Sequence, residues 1–394
     1  MNRYARIAII MSLSISPWAC NRDALVQGPA DSPGDDSPAT KASVSSQGIA
    51  VSLHRLRTID PRKELEWKDG KSRDIPAVTR MAMSPNRQWL LWGDKQDNLF
   101  AWSLKEKRLR VLYDNTVTRT ATENEKVGLF QIEGIRCDDA GKVYWIDNSG
   151  RVGLADLAAD VTQKAVLREW SSGPVWSACI ADDEFIVCVP VRNKMLTNET
   201  VLEAYNLADG KHTSTAKLSP MKRQVEQIAV AADKKSLAVV SRDCAGIVAL
   251  DPFKLQRTID VQYGDNIVFS PDSSQVAIGT NGVGRNSLVV AEVSTGRIIR
   301  QVKAPPSSVR VLAWSPKGDI WYESDGRVYR LGPEAKESVE IFGWASGVPV
   351  VDAVAMVFVG DGEHVFVGTR SGDVVEFETL PASSSAPATK ATEP

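Results

Sequence analysis

The sequence predicts an all-β protein, a β-propeller of seven four-stranded blades closed by pairing an N-terminal strand with the last blade. Three observations predict it. One motif recurs seven times between residues 48 and 380: apolar strand, tight polar turn, second apolar strand, Gly/Asp/Asn turn, third strand. Its period lies in the range of about 40–50 residues that marks blades of short strands around a common axis. The last copy lacks the fourth strand that the others carry, and one strand is left over at the front. No segment sustains a 3.6-residue apolar period, which excludes an α/β reading.

The clearest copy is FSPDSSQVAIGTNG at 269–282. Its relatives are MSPNRQWLLWGDKQDNLFAWSL, CDDAGKVYWIDNSGRVGLADL, WSPKGDIWYESDGRVYRLG and FVGDGEHVFVGTRSGDVVEFETL, with weaker copies CIADDEFIVCVPV and VAADKKSLAVVSRDCAGIVALD. The residues just after each first strand are Ser84, Asp138, Ala181, Ala232, Ser270, Ser315 and Val359, in steps of 54, 43, 51, 38, 45 and 44 residues. The third copy is irregular, so the spacing alone also admits six or eight blades. Fourth strands such as RLRVLYD, LQRTIDV and RIIRQVKA complete the first six units, whereas the seventh stops at VVEFETL. IAVSLHRLRTID at 49–60 resembles those fourth strands and is expected to pair on 374–380. Closing the ring this way removes edges that would otherwise recruit other chains.

The propeller is expected to span 48–380 of the 394 residues, with different material at either end. Arg3 and Arg6 precede a short apolar run, Ile7 to Ile15, which has the shape of an export signal over 1–19. Pro17-Trp18-Ala19-Cys20 follows. The stretch resembles a bacterial lipoprotein signal, and that resemblance implies that Cys20 is lipidated and begins the mature chain. Ala19 fits the small residue wanted before the cysteine, and Pro17 and Trp18 depart from the pattern. Secretion of a soluble protein is the alternative. Residues 20–47, rich in Asp, Ser, Pro, Ala and Gly and without an aromatic residue, read as a disordered linker, and 381–394 as a disordered tail.

A net charge of −2 argues against a general nucleic-acid binder, which needs a basic excess. Beyond the leader, no run reaches the 18 or so apolar residues of a membrane helix, so contact with a membrane is expected through the lipid alone.

The SPDS…VAIGT and SPNRQWLLWGDKQDNLFAW segments are similar to WD-repeat propellers, over about 85% of the chain. Trp102 stands where that family places its Trp. No Gly-His opens a unit and no Trp-Asp ends one, so the family's Asp-His-Ser-Trp hydrogen-bond set is absent or degenerate.

Function is expected on the loops. The first-to-second turns are short: PNRQ, DAGK, DDE, DKK, PDSS, PKGD and GDGE. Long connections at 61–77, 114–127, 192–200 and 279–287 fall on the opposite face, where raised loops usually carry binding. Trp67, Met195, Arg285 and Trp344 are the candidate contacts there, being of the types favoured at interfaces. Catalytic groups are thin. His54, His212 and His364 are scattered, although His54 and His364 could meet on the closing blade. Asp138-Asp139 and Asp182-Asp183 lie in tight turns, which favour Asp for its backbone shape. GTNGVG precedes no helix. Cys137, Cys179, Cys188 and Cys244 match no zinc spacing; Cys179 and Cys188 could face each other across a hairpin, and four reduced thiols is the plainer reading. The expectation is therefore a non-enzymatic, protein-binding propeller at the cell envelope, without cofactor or metal. The rivals are a propeller enzyme of the lactonase, lyase or quinoprotein type, and a small-ligand or glycan binder.

Overall fold

The structure is a computed structural model that describes residues 52–65, 76–115, 131–158, 166–169, 175–190, 200–282, 287–303, 308–309, 311–342, 353–360 and 362–380. The described strands form seven four-stranded antiparallel sheets. Blades 1 to 6 occupy 78–113, 132–169, 177–217, 225–259, 264–303 and 311–342, each running from inner to outer strand in chain order. Blade 7 takes its three inner strands from 353–380 and its outer strand from Ser52–Ile59. That strand pairs with Val374–Leu380 in the expected place, from Ser52 opposite Leu380 to Ile59 opposite Val374. The irregular third copy is a regular blade of four strands. A single helical turn, Pro61–Glu64, is the one helix among the described residues; Asp60 caps it by accepting the Arg62 N–H.

The burial pattern explains why these segments are strands. Second strands such as SLAVVS, QVAIGT and HVFVGT are buried along nearly their whole length. They lie between neighbouring blades and are covered on both faces, so the apolar run is continuous rather than alternating. Outer strands such as HTSTAK and IIRQVK are largely exposed. The apolar interior divides into seven clusters, one between each pair of adjacent blades: Ile59, Trp92 and Phe366 between blades 7 and 1, Val225 and Leu237 with Leu202 between blades 3 and 4, and so on round the ring.

Two devices set the spacing between blades. The first is a glycine near the end of the second strand. Gly93, Gly279 and Gly368 each sit against the next blade, where a Cβ would come within 2.6–2.7 Å of Ile132, Val309 and Val78 respectively. A hydrogen is all that fits, so each neighbour seats its apolar residue against bare backbone. The second is an arginine in the outer strand. Arg110 of blade 1 donates to the Leu157 carbonyl in the outer turn of blade 2 at 2.8 Å. Arg257 of blade 4 reaches Ser294 O of blade 5 at 3.3 Å. Arg300 of blade 5 donates to Pro333 O at 2.7 Å, to Gly332 O at 2.9 Å and to Ala335 O of blade 6. Arg57, at the matching register of blade 7, instead lies over the Trp102 ring of blade 1, 5.5 Å from its centroid.

The first-to-second turns share one geometry. Arg87, Gly141, Asp182, Lys234, Ser273, Gly318 and Gly362 occupy the left-handed region, with φ between 49° and 89°. In four of these turns the residue after the inner strand clamps the far side. Ser84 Oγ, Asp138 Oδ1, Ser270 Oγ and Ser315 Oγ accept the N–H of Trp89, Lys142, Gln275 and Asp319 at 2.8–3.1 Å. The serines of the recurring Ser-Pro pairs, and Asp138 of the first Asp-Asp pair, are therefore turn clamps.

Cys137, Cys179 and Cys244 are free thiols. Cys179 and Cys188 do not face each other: the two-residue turn at 182–183 lies nearer Cys179 than Cys188, so Cys179 pairs with Ile186 and Cys188 with Ser177. Burial pushes the Cys179 thiol up to about 12, and burial with the nearby Asp138 and Asp139 pushes Cys137 to about 11. The side chain of Cys188 lies outside the described residues.

The arginine ties differ in weight, which gives a test. Arg300→Ala strands carbonyls that held a charged donor and is expected to lower unfolding free energy by about 1–3 kcal/mol. Arg257→Ala, which loses one long inter-blade bond and an exposed local bond to Gln256 O, is expected to change it by about 0.5 kcal/mol or less. Urea titrations of the two variants decide it, and equal losses would contradict the assignment.

Candidate functional site

The inner strands bring the two ends of the channel together from seven separate segments. Each inner strand lies beside the inner strands of the blades before and after it. On five of them the second residue is bulged out of register: Thr79, Glu133, Glu226, Asp265 and Val354. Bulges re-aim side chains at rims, and three of these five are acids. The acids are not left bare. Arg80 Nη2 lies 2.8 Å from Glu133 Oε2, its Nε donates to Glu133 O, and Gln131 donates to Glu133 Oε1. Arg242 Nε lies 2.9 Å from Glu226 Oε1. Two of the three bulged acids at this mouth, Glu133 and Glu226, are thus charge-paired.

On the same face, the second-to-third turns of blades 1 and 2 are joined by a buried network. Asp94 Oδ1 accepts the N–H groups of Gln96 and Asn98, and its Oδ2 accepts from the Asn98 side chain. Arg151 bridges two further carboxylates, 2.6 Å from Asp147 Oδ2 and 2.6 Å from Asp97 Oδ2. Burial, with Asp114 adding to it, raises the Asp94 carboxyl to about 6. Its partners are neutral amides, whereas Arg151 serves the other two acids. The network closes two turns and joins two blades.

The opposite face carries the tight turns, and ties run between them. Lys234 Nζ lies 2.6 Å from Asp182 Oδ1, Arg136 Nη2 lies 3.5 Å from the same atom, and Asp233 N–H donates to Ser273 Oγ. Asp182 is thus part of a link between blades 2, 3 and 4. Between blades 5 and 6 this face opens into a cleft of about 570 Å³. Its walls include Ser270, Asp272, Arg300, Trp314, Lys317 and Pro333. Ile299 also lines it, and Ile298 beside it is exposed as well, at 41% and 37%. Two connections on this face, 157–165 and 332–338, are longer than the sequence-based division of the faces expects.

Trp67, Met195, Arg285 and Trp344 lie outside the described residues, as does Cys20. His54, Glu378 and His364 share one register row across the last three strands of blade 7, with the strand of Glu378 between those of the two histidines; the side chain of His54 lies outside the described residues. His364 Nδ1 lies 3.4 Å from Glu376 Oε1. His212 begins an outer strand and is exposed. No group of three or more His, Cys, Asp or Glu positioned to hold a metal occurs among the described residues. Sequence reading missed the outer-strand arginines, although Leu56-Arg57, Leu109-Arg110, Gln256-Arg257 and Ile299-Arg300 recur at one place in the repeat. It also missed the cleft, whose walls come from two successive repeats.

With this geometry in hand, the comparisons with known proteins concern the fold. No family model matches the chain, and no curated protein matches it. Among solved structures, the chain is similar to one described as the crystal structure of the WD40 β-propeller domain of Doa1, with 14% identity and a TM-score of 0.59. The likeness covers 83% of this chain and 97% of that one. The chain therefore has the fold of a seven-bladed, WD40-like β-propeller.

The Asp94 network yields a pH test. A carboxyl raised from 3.8 to about 6 favours the folded state below its ordinary value, and that advantage is lost as pH rises through about 6. Chemical denaturation of wild type and Asp94→Asn at pH 4.5 and pH 7 is expected to show wild type gaining relative to the variant on acidification. A pH-independent difference would contradict it.

Proposed function

We propose that this chain is a non-enzymatic, protein-binding propeller, exported and tethered at the cell envelope through lipidated Cys20. The observation that carries the binding half is the contrast between the two faces of a closed ring. One face is locked by side-chain clamps and turn-to-turn ties. The other face carries the ends of the long connections 60–77, 114–131, 191–199 and 343–352, most of whose residues lie outside the described ones. Loops on a rigid scaffold present a surface without the ordering cost that a flexible binder bears. The similarity to a WD40 propeller supports a scaffold fold and leaves function to the site. The address rests on the leader, Cys20 and the linker before the first strand. A spacer of this composition lets a domain stand clear of a bilayer.

The address is tested by the intact mass of the mature N-terminal peptide from membrane and soluble fractions. A diacylglycerol-modified Cys20 in the membrane fraction, lost together with membrane association in Cys20→Ala, is the expected result. An unmodified soluble chain beginning downstream would place the propeller free in the compartment, and a retained Met1 in the cytosol would overturn export.

A further inference from the structure

We infer that the protein partner is gripped by a rigid ridge centred on Tyr263, and that the gripped segment carries a carboxylate beside an apolar side chain. This rests on the protein-binding reading above. Tyr263 stands one residue before the inner strand of blade 5, on the face of the long connections. Its φ of 60° lies in the left-handed region, which glycine adopts freely and a tyrosine adopts at a cost. Burial does not offset that cost, because Tyr263 is 41% exposed.

The surroundings hold the residue in place. Its N–H donates to Arg242 O at 2.8 Å, and its carbonyl accepts the Asn281 N–H at 2.7 Å. Gly282 lies against the ring, where a Cβ would come within 2.9 Å of it. A fixed aromatic ring loses little freedom on binding and offers a large contact area.

The turn whose backbone holds Tyr263, and the loop bonded to that turn, carry cations. The Arg242 side chain is 58% exposed while it pairs with Glu226. Lys222 N–H donates to Asp243 Oδ2 at 2.8 Å, which joins the loop before blade 4 to the turn that carries Arg242. Lys222 and Arg223 are exposed, and neither forms an ion pair among the described residues. Asp243 is occupied by that N–H and by the Ser241 hydroxyl; Asp260 is the exposed acid nearby. An Asp or Glu of the partner finds guanidinium and ammonium donors here, and an adjacent apolar side chain finds the ring.

A random-peptide phage library selected against the full chain tests the ridge. The expected outcome is enrichment of peptides with an acid next to an apolar residue. Tyr263→Gly and Arg242→Glu then weaken their binding by about tenfold or more each, and Tyr263→Phe retains it. Tyr263→Gly is also expected to melt no lower than wild type, since glycine relaxes the left-handed backbone. Enriched peptides that bind both variants as tightly as wild type would overturn the ridge and leave protein binding standing. A library that yields no enriched peptide would overturn the ridge and count against protein binding itself. A marked loss of stability in Tyr263→Gly would show the ring to be structural and overturn its role as an anchor.

Discussion

Closure of the ring is the constraint on which the rest of the molecule depends. A propeller blade has no core of its own. Its apolar side chains are buried because another blade stands on each side, and each of the seven described clusters lies between two blades. If the ring opened between any two blades, two sheet faces would be exposed at once. The chain is linear, so one junction must be made by residues far apart in sequence. Here it is the pairing of Ser52–Ile59 with Val374–Leu380. Ile59 and Val374 belong to the cluster that joins blade 7 to blade 1, so the closing strand contributes packing as well as hydrogen bonds.

Rigidity follows from the way each interface is built. The glycines at 93, 279 and 368 let inner-strand and loop side chains of the next blade rest on backbone. Arginines on the rim tie outer strands to the next blade's turns. Acid–arginine and acid–amide pairs tie inner-strand ends and the turns of blades 1 and 2. Arg80, Arg110, Arg151 and Arg300 each bond a group of a neighbouring blade.

The fold was legible because its signals are local. Tight turns demand Gly, Asp, Asn or a clamping Ser, and strands covered on both faces read as unbroken apolar runs, so FSPDSSQVAIGT declares strand, turn and strand by itself. Even the closing strand could be inferred, since HRLRTID resembles the outer strands it replaces. The relations between repeats were much harder to read. Arg300 binds carbonyls, which have no side-chain identity to recognise in sequence. Whether Cys179 and Cys188 face each other could not be read from their spacing, since the register depends on which two residues form the turn. Tyr263 reads in VQYGDN as an ordinary loop aromatic, and nothing in its identity announces a left-handed backbone. The four loop residues singled out for binding were chosen by residue type and loop length, and they lie outside the described residues.

The most direct test of the central claim is residue-resolved hydrogen exchange on the folded chain. Closure by the N-terminal strand predicts that amides of 52–59 exchange through the same opening as those of 364–369 and 374–380, since the three strands belong to one sheet. Free-peptide exchange across 52–59, with 364–369 and 374–380 still protected, would contradict the account: the strand would be an appendage, and the ring would be held by other means.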